Sequence, residues 1–150
     1  MAIKVLICDV AGAHANVCES RILAQCPTAD VHIYDNTNLS TAVTYAINNS
    51  YRLICRPYEG LSDSYNNNYG HTAYTNGDIG IVHAHGGNDH IRITDATHLG
   101  YICAVGTSDG TNNIDSYGPG LEFMTQDTAQ SYACAKTTGM IAQILTENPT

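Results

Sequence analysis

Four side chains with complementary chemistry are spread along this sequence: Asp9, His14, Asn88 and Ser131. A serine hydroxyl becomes a nucleophile when a histidine takes its proton, and an aspartate can hold that histidine in the required tautomer. An asparagine amide and the backbone N–H of the serine can together stabilise the oxyanion that develops during acyl transfer. The four residue types are therefore those of an acyl-transfer site, in the order acid, base, amide donor and nucleophile.

Each of these residues also has a simpler structural interpretation. Asp9 follows an apolar run, where aspartate is most often a turn residue or a helix cap, and His14 could only occupy an early helical turn. Asn88 lies in Gly-Gly-Asn-Asp, a sequence that favours a turn, and Ser131 could be a helix N-cap. Both interpretations remain open at this point for all four residues.

The other histidines do not form a convincing metal-ligand set. His83 and His85 share one face of a predicted strand, but the spacing places no third ligand beside them. The six cysteines include no CxxC pair, which argues against a zinc site built on cysteines. We therefore expect no metal ion and no other cofactor.

Strand-like and helical patterns alternate along the chain. Apolar runs predict strands at 3–9, 30–35, 52–56, 78–85, 100–106 and 121–125, and amphipathic patterns predict helices at 14–25, 39–48, 64–75 and 131–146. Strands that are apolar throughout are typical of a parallel sheet covered by helices on both faces. With right-handed crossovers, the pattern predicts one doubly wound α/β domain over residues 1–150, with a mostly parallel sheet of about five to six strands.

This architecture would bring the four residues to one edge of the sheet. In doubly wound domains, ligands bind beyond the carboxyl ends of the strands. Asp9 follows the first predicted strand, Asn88 follows the fourth, and Ser131 begins the last predicted helix. The short segment between Asp9 and His14 suits a βα turn, so we expect these two side chains to lie side by side.

Composition excludes several classes of function. Charged residues make up 13% of the 150 residues, against a usual fraction of about 25%. Only six lysines and arginines and a formal net charge of −8 argue against binding to nucleic acid or to anionic lipid. No apolar run approaches the roughly 18 to 20 residues that span a bilayer. The surface, poor in lysine and rich in Asn, Thr and Tyr, suits burial in an oligomer or larger assembly.

The cysteines and the N-terminal residues bear on the compartment. Cys8, Cys55 and Cys103 lie in strand-like apolar runs, where cysteine behaves as a small buried hydrophobe. The first residues are apolar too briefly for a secretory signal. We therefore expect reduced cysteines and a cytoplasmic location, or a place within a particle assembled in the cytoplasm.

Several segments, in order, resemble subtilisin-like serine proteases (subtilases) in strongly shortened form. The stretch TNGDIGIVHAHGGND resembles the family's strand that ends in a small-small-Gly-Asn oxyanion segment, with Asn88 on its asparagine. The stretch QSYACAKTTGMIA resembles the nucleophile motif, with Ser131, Ala133 and Gly139 on its serine, alanine and last glycine. The resemblance covers about residues 27 to 146 and implies a subtilisin-like fold.

The resemblance also implies roles for individual residues. Asp9 would be the orienting acid, His14 the general base, Asn88 the oxyanion donor and Ser131 the nucleophile in the hydrolysis of a peptide or protein substrate. The segment that matches the family's substrate-binding Ser-Leu-Gly-Gly, with the residue before it, consists of Arg56, Pro57, Tyr58, Glu59 and Gly60. No cofactor is implied.

The chain departs from the family pattern at several of these positions. Ala129-Gln130 stand where the family has Gly-Thr, and Ala135 replaces its proline. The substrate-binding segment keeps only its last glycine, and Pro57 removes a backbone donor that would otherwise be available to an extended peptide. The motif around His14 is reduced to HANV, and the family's calcium-binding loops have no obvious counterpart.

Two hypotheses for function follow. The first is a minimal subtilisin-like serine peptidase that uses the four residues above. The second is a catalytically inactive subtilase-fold protein that serves as a structural or interaction subunit of a larger assembly, such as a virion or filament, because the substrate segment and the residues around the serine are altered. A small-molecule- or nucleotide-binding α/β module is a third interpretation, which only the versatility of such folds supports.

Overall fold

The computed structural model describes residues 1–58, 63–84, 102–108 and 123–149. In chain order the elements are β1 (Lys4–Ile7), α1 (Ala13–Gln25), β2 (Asp30–Ile33), α2 (Leu39–Asn48), β3 (Leu53–Arg56), α3 (Asp63–Gly77), β4 (Gly80–Ala84), β5 (Ile102–Ser108), β6 (Phe123–Gln126) and α4 (Gln130–Glu147). The predicted α/β class is confirmed, and up to β4 each element begins and ends within two residues of its predicted bounds.

The strands form a parallel sheet in the order β2-β1-β3-β4-β5-β6. Lys4 of β1 aligns with Asp30 of β2, and Val5 aligns with Leu53 of β3. The chain leaves β1 towards β2 on one side and then returns to β3 on the other. This reversal creates a topological switch point beyond the carboxyl ends of β1 and β3, where doubly wound domains bind their ligands.

Helices cover both faces of the described sheet. Successive side chains of β1 point to opposite faces, so the strand contributes to a core on each side. Val5 and Ile7 belong to a buried core that includes residues of α1 and α4. Leu6 belongs to a second buried core with residues of α2 and α3. The alternation of two helical faces explains why β1 is apolar at every position.

The small residues at the start of α4 allow that helix to approach its neighbours closely. Ala133 and Ala135 are buried in the core that contains Val82 of β4. A Cβ atom built on Gly139 would lie 2.6 Å from the carbonyl oxygen of Ile22 in α1. The small residues suggested contact with the sheet, but at Gly139 the close contact is between two helices.

Two further properties of the described residues bear on the sequence-based expectations. None of their helices combines the length and the hydropathy needed to cross a membrane. The five cysteines with described side chains are buried and free of disulfides; they are Cys8, Cys18, Cys26, Cys55 and Cys134. Burial raises the pKa of the Cys8 thiol to about 12, as expected for a thiol that acts as a core residue.

Candidate functional site

Asp9 lies at the carboxyl end of β1 and is held by three hydrogen bonds. The strand pairing continues to Cys8, whose N–H donates to Cys55 O at 2.8 Å, and the chain then turns into α1. Asp9 is only 1% exposed. Its Oδ1 accepts the N–H of Val10 at 2.6 Å and the hydroxyl of Tyr58, and its Oδ2 faces His14. The carboxylate is therefore buried with donors at both oxygens, which is what keeps a buried charge tolerable.

His14 lies in the first turn of α1, directly beside this carboxylate. Its Nδ1 is 2.6 Å from Asp9 Oδ2, and 40% of its side chain is exposed. Because a carboxylate oxygen accepts, we assign the proton to Nδ1, which leaves Nε2 as an acceptor. The short βα turn has the effect expected from the sequence: the two side chains are adjacent.

Two tyrosine rings contact the imidazole. The ring centroid of Tyr58, which follows β3, is 5.9 Å from that of His14, and the centroid of Tyr132 in α4 is 5.7 Å away. These separations are typical of packed aromatic rings. Three separate parts of the chain therefore restrict how the imidazole can turn.

Ser131 is not the N-cap of α4, so that interpretation of the sequence is wrong. The N-cap is Ala129, and Ser131 is the second helical residue. Its hydroxyl leaves its own helix and donates to the carbonyl oxygen of Pro57 at 2.9 Å. The first N–H groups of an α-helix have no acceptor within the helix, so the N–H of Ser131 points outward from the N-terminus, as an oxyanion donor requires.

The hydroxyl of Ser131 and the imidazole of His14 are not hydrogen-bonded to each other. Among the hydrogen bonds of the described residues, none joins these two side chains. The His14 imidazole and the backbone carbonyl of Ser131 both approach Cys18, whose sulfur lies within 4.8 Å of a His14 ring nitrogen and 4.0 Å from Ser131 O. In ligand-free enzymes, hydrogen bonds between a nucleophile and its base are often long and shorten when substrate binds.

The last residue of β3 and the two residues after it form hydrogen bonds that hold the site together. Arg56 is 8% exposed, and its Nη1 donates to Tyr58 O at 2.9 Å. Pro57 O accepts the Ser131 hydroxyl, and the Tyr58 hydroxyl is directed at Asp9. The substrate-binding role of these three residues stays a prediction. Of the remaining predicted site residues, Glu59, Gly60 and Asn88 lie outside the residues that the structure describes.

Sequence reasoning missed the contact between Tyr58 and Asp9, which are 49 positions apart. The hydrogen bond to Asp9 and burial raise the pKa of Tyr58 to about 12, so its hydroxyl is a donor at neutral pH. We expect Tyr58→Phe to lower the free energy of unfolding by about 1.5–3 kcal/mol, since a hydrogen bond to a charged group is lost. Urea denaturation at pH 7 measures this change.

Tyr132→Phe is the matched control for Tyr58→Phe. Tyr132 also contacts the His14 ring, but its hydroxyl makes no hydrogen bond to any residue that the structure describes. We expect this control to change the free energy of unfolding by less than about 0.5 kcal/mol, like other substitutions that remove no defined interaction. Equal effects of the two substitutions would show that the contact between Tyr58 and Asp9 contributes nothing.

One group of three potential metal ligands occurs among the described residues. One ligand atom from each of Asp9, His14 and Cys18 lies within 4.8 Å of the others. The sequence contained a signal for part of this group, because residues four apart on a helix share a face and His14 and Cys18 have that spacing. The expectation of no metal ligands considered the other histidines instead.

Comparison with known proteins does not assign the chain to a family. No protein-family model matches it, and the curated proteins give no match. Function is therefore inferred from the geometry of Asp9, His14 and Ser131.

Proposed function

We propose that this chain is a shortened subtilisin-like serine peptidase, with Ser131 as nucleophile, His14 as general base and Asp9 as orienting acid. The observation that carries the proposal is the contact of the buried Asp9 carboxylate with His14 Nδ1 at 2.6 Å, while 40% of the His14 side chain is exposed. A buried acid that fixes one nitrogen of an accessible imidazole leaves the other nitrogen ready to accept a proton.

The proposed reaction begins with rotation of the Ser131 side chain from Pro57 O towards His14 Nε2. As Oγ attacks the substrate carbonyl, its proton moves to Nε2, and Asp9 stabilises the resulting imidazolium. The backbone N–H of Ser131, with Asn88 as the proposed second donor, stabilises the oxyanion. His14 then gives the proton to the departing amine. Water, activated by His14, hydrolyses the acyl-enzyme and restores the Ser131 hydroxyl.

The subtilisin-like character of the domain belongs to the same proposal. It is supported by the strand order, which brings the ends of β1 and β3 together. It is further supported by the meeting of residues from both strand ends with the start of α4, where Ser131 contacts Pro57. The residues that resemble the family's acid and nucleophile are thereby brought to one edge of the sheet.

A fluorophosphonate probe tests the nucleophile directly, because it forms a covalent bond only with an activated serine. We expect mass spectrometry of the labelled, folded chain to locate one adduct on Ser131. Ser131→Ala should abolish this adduct. Ser20→Ala, which changes an exposed serine bonded to Asn16 O, should leave it unchanged. Absence of an adduct on Ser131 in folded protein would refute the peptidase.

One observation favours the second candidate function, an inactive subunit of a larger assembly. The Ser131 hydroxyl donates to Pro57 O, so in this conformation it is not aligned with its proposed base. An inactive protein would keep this bond as a structural link between α4 and the segment after β3. Recovery of the chain as a stoichiometric component of particles, together with no labelling of Ser131, would establish this alternative.

A further inference from the structure

We propose that Asp9, His14 and Cys18 form a binding site for a thiophilic divalent cation such as Zn²⁺. The bound ion would prevent His14 from acting as general base and Asp9 from orienting it. Binding of the ion depends only on the arrangement of these side chains. The inhibition rests on the proposed peptidase function.

The three ligands are held by two rigid elements. His14 and Cys18 are four residues apart and face the same side of α1, while Asp9 follows β1. Their ligand atoms lie within 4.8 Å of one another, and Asp9 Oδ2 is 2.6 Å from His14 Nδ1. Ligand atoms around a tetrahedral zinc ion are separated by about 3.2–3.8 Å, given bond lengths of about 2.0–2.3 Å. Small side-chain rotations therefore suffice to surround the ion.

The donor set selects the class of ion. One carboxylate oxygen, one imidazole nitrogen and one sulfur suit Zn²⁺, whereas Mg²⁺ and Ca²⁺ require oxygen ligands. Asp9 and Cys18 are buried, and 40% of the His14 side chain is exposed. Three protein ligands leave the fourth position of a tetrahedral ion for a water molecule.

Charge balance favours the ion in this buried place. Cys18 is fully buried, and a metal ion displaces the proton of a thiol that coordinates it. On binding, the Cys18 thiol proton leaves to solvent, the single His14 proton moves from Nδ1 to Nε2 by exchange with solvent, and Asp9 contributes its carboxylate. A carboxylate and a thiolate then balance the two positive charges of the ion, so no net charge is buried.

The bound ion would remove the general base. With Nδ1 bound to the metal, the neutral imidazole carries its remaining proton on Nε2. That nitrogen then has no lone pair to accept the proton of Ser131. The same ion also replaces the hydrogen bond between His14 and Asp9. The general base and its orientation by Asp9 are therefore lost together.

The test is a titration of the folded chain with Zn²⁺ by calorimetry, together with Co²⁺ as a spectroscopic probe of sulfur ligation. We expect one equivalent of metal and a thiolate-to-Co²⁺ charge-transfer band. Cys18→Ser should remove that band and weaken Zn²⁺ binding by about 10-fold or more. Loss of a residue that only supports a metal ligand weakens binding by about 10-fold to 100-fold, and loss of a ligand should weaken it at least as much. Cys26→Ala, which changes another buried cysteine near the end of α1, should preserve both.

Activity gives the second readout. One equivalent of Zn²⁺ should suppress fluorophosphonate labelling of Ser131 in the wild-type chain and in Cys26→Ala, but not in Cys18→Ser. No Co²⁺ band, or equal Zn²⁺ affinity of Cys18→Ser and wild type, would overturn the proposed metal site. Metal binding without any labelling of Ser131 would instead leave the site standing and refute the peptidase, so the two failures are distinguishable.

Discussion

Asp9→Asn is expected to lower the rate of fluorophosphonate labelling at Ser131 by about 10⁴-fold, the size of effect that loss of a triad acid produces. The structural reason is the contact between Asp9 Oδ2 and His14 Nδ1. An amide that turns its NH₂ towards Nδ1 makes this nitrogen an acceptor and moves the proton to Nε2. The imidazole then lacks a lone pair on the side of Ser131. The second-order rate constant of labelling measures the effect.

Asp35→Asn provides a matched control in the adjoining loop. Asp35 Oδ1 accepts the N–H of Ala11 at 2.8 Å, which helps to hold the turn between β1 and α1. An asparagine oxygen can accept the same bond, and asparagine tolerates the positive φ of 56° at this position. We expect less than about a threefold change in labelling, because no charge in contact with His14 is altered. Equal losses in the two variants would contradict the orienting role of Asp9.

Gly139→Ala is expected to destabilise the fold by about 1–3 kcal/mol or more, the cost of overpacking a close contact. The added Cβ would meet three atoms of α1: the Ile22 carbonyl oxygen at 2.6 Å, the Ile22 Cα at 2.9 Å and the Gln25 Cβ at 2.9 Å. Two of these atoms belong to backbone and cannot rotate away, so α1 and α4 must separate. Chemical denaturation of the variant measures the change in the free energy of unfolding.

Gly12→Ala separates this steric effect from the general effect of replacing glycine. Gly12 is the N-cap of α1, and a Cβ atom there would have no heavy atom within 4 Å. We expect its effect to stay within about 1 kcal/mol, since alanine is only a poorer N-cap than glycine. A loss at Gly139 as small as that at Gly12 would mean that the two helices separate at little cost.

The sequence predicted those parts of the structure that depend on neighbouring residues. Continuous apolar runs indicated a parallel sheet, and the short turn after β1 indicated that Asp9 and His14 would be adjacent. The predicted start of the last helix, at residue 131, was one residue late, because α4 begins at Gln130; this error supported the N-cap interpretation of Ser131. That interpretation fails because the N-cap is Ala129, which offers no side-chain acceptor.

The contacts that sequence patterns did not predict join distant parts of the chain. The bond from Tyr58 to Asp9 spans 49 positions, and the bond from Ser131 to Pro57 spans 74. Neither follows from periodicity, because each depends on how β3 and α4 are placed against β1. Gly139 shows the same limit: its small size was evident, but its partner is set by the approach of α1 to α4.

The distribution of the site along the chain has a consequence for folding. Asp9 and His14 are five positions apart and come together within one strand-turn-helix unit. The sulfur of Cys18 and the carbonyl of Ser131, by contrast, approach across 113 positions. Contacts between distant positions form late because closing a long loop is entropically costly. A nascent or partly folded chain therefore brings Asp9 and His14 together before Ser131 reaches them, and the peptidase that we propose would become active only when α4 docks against α1.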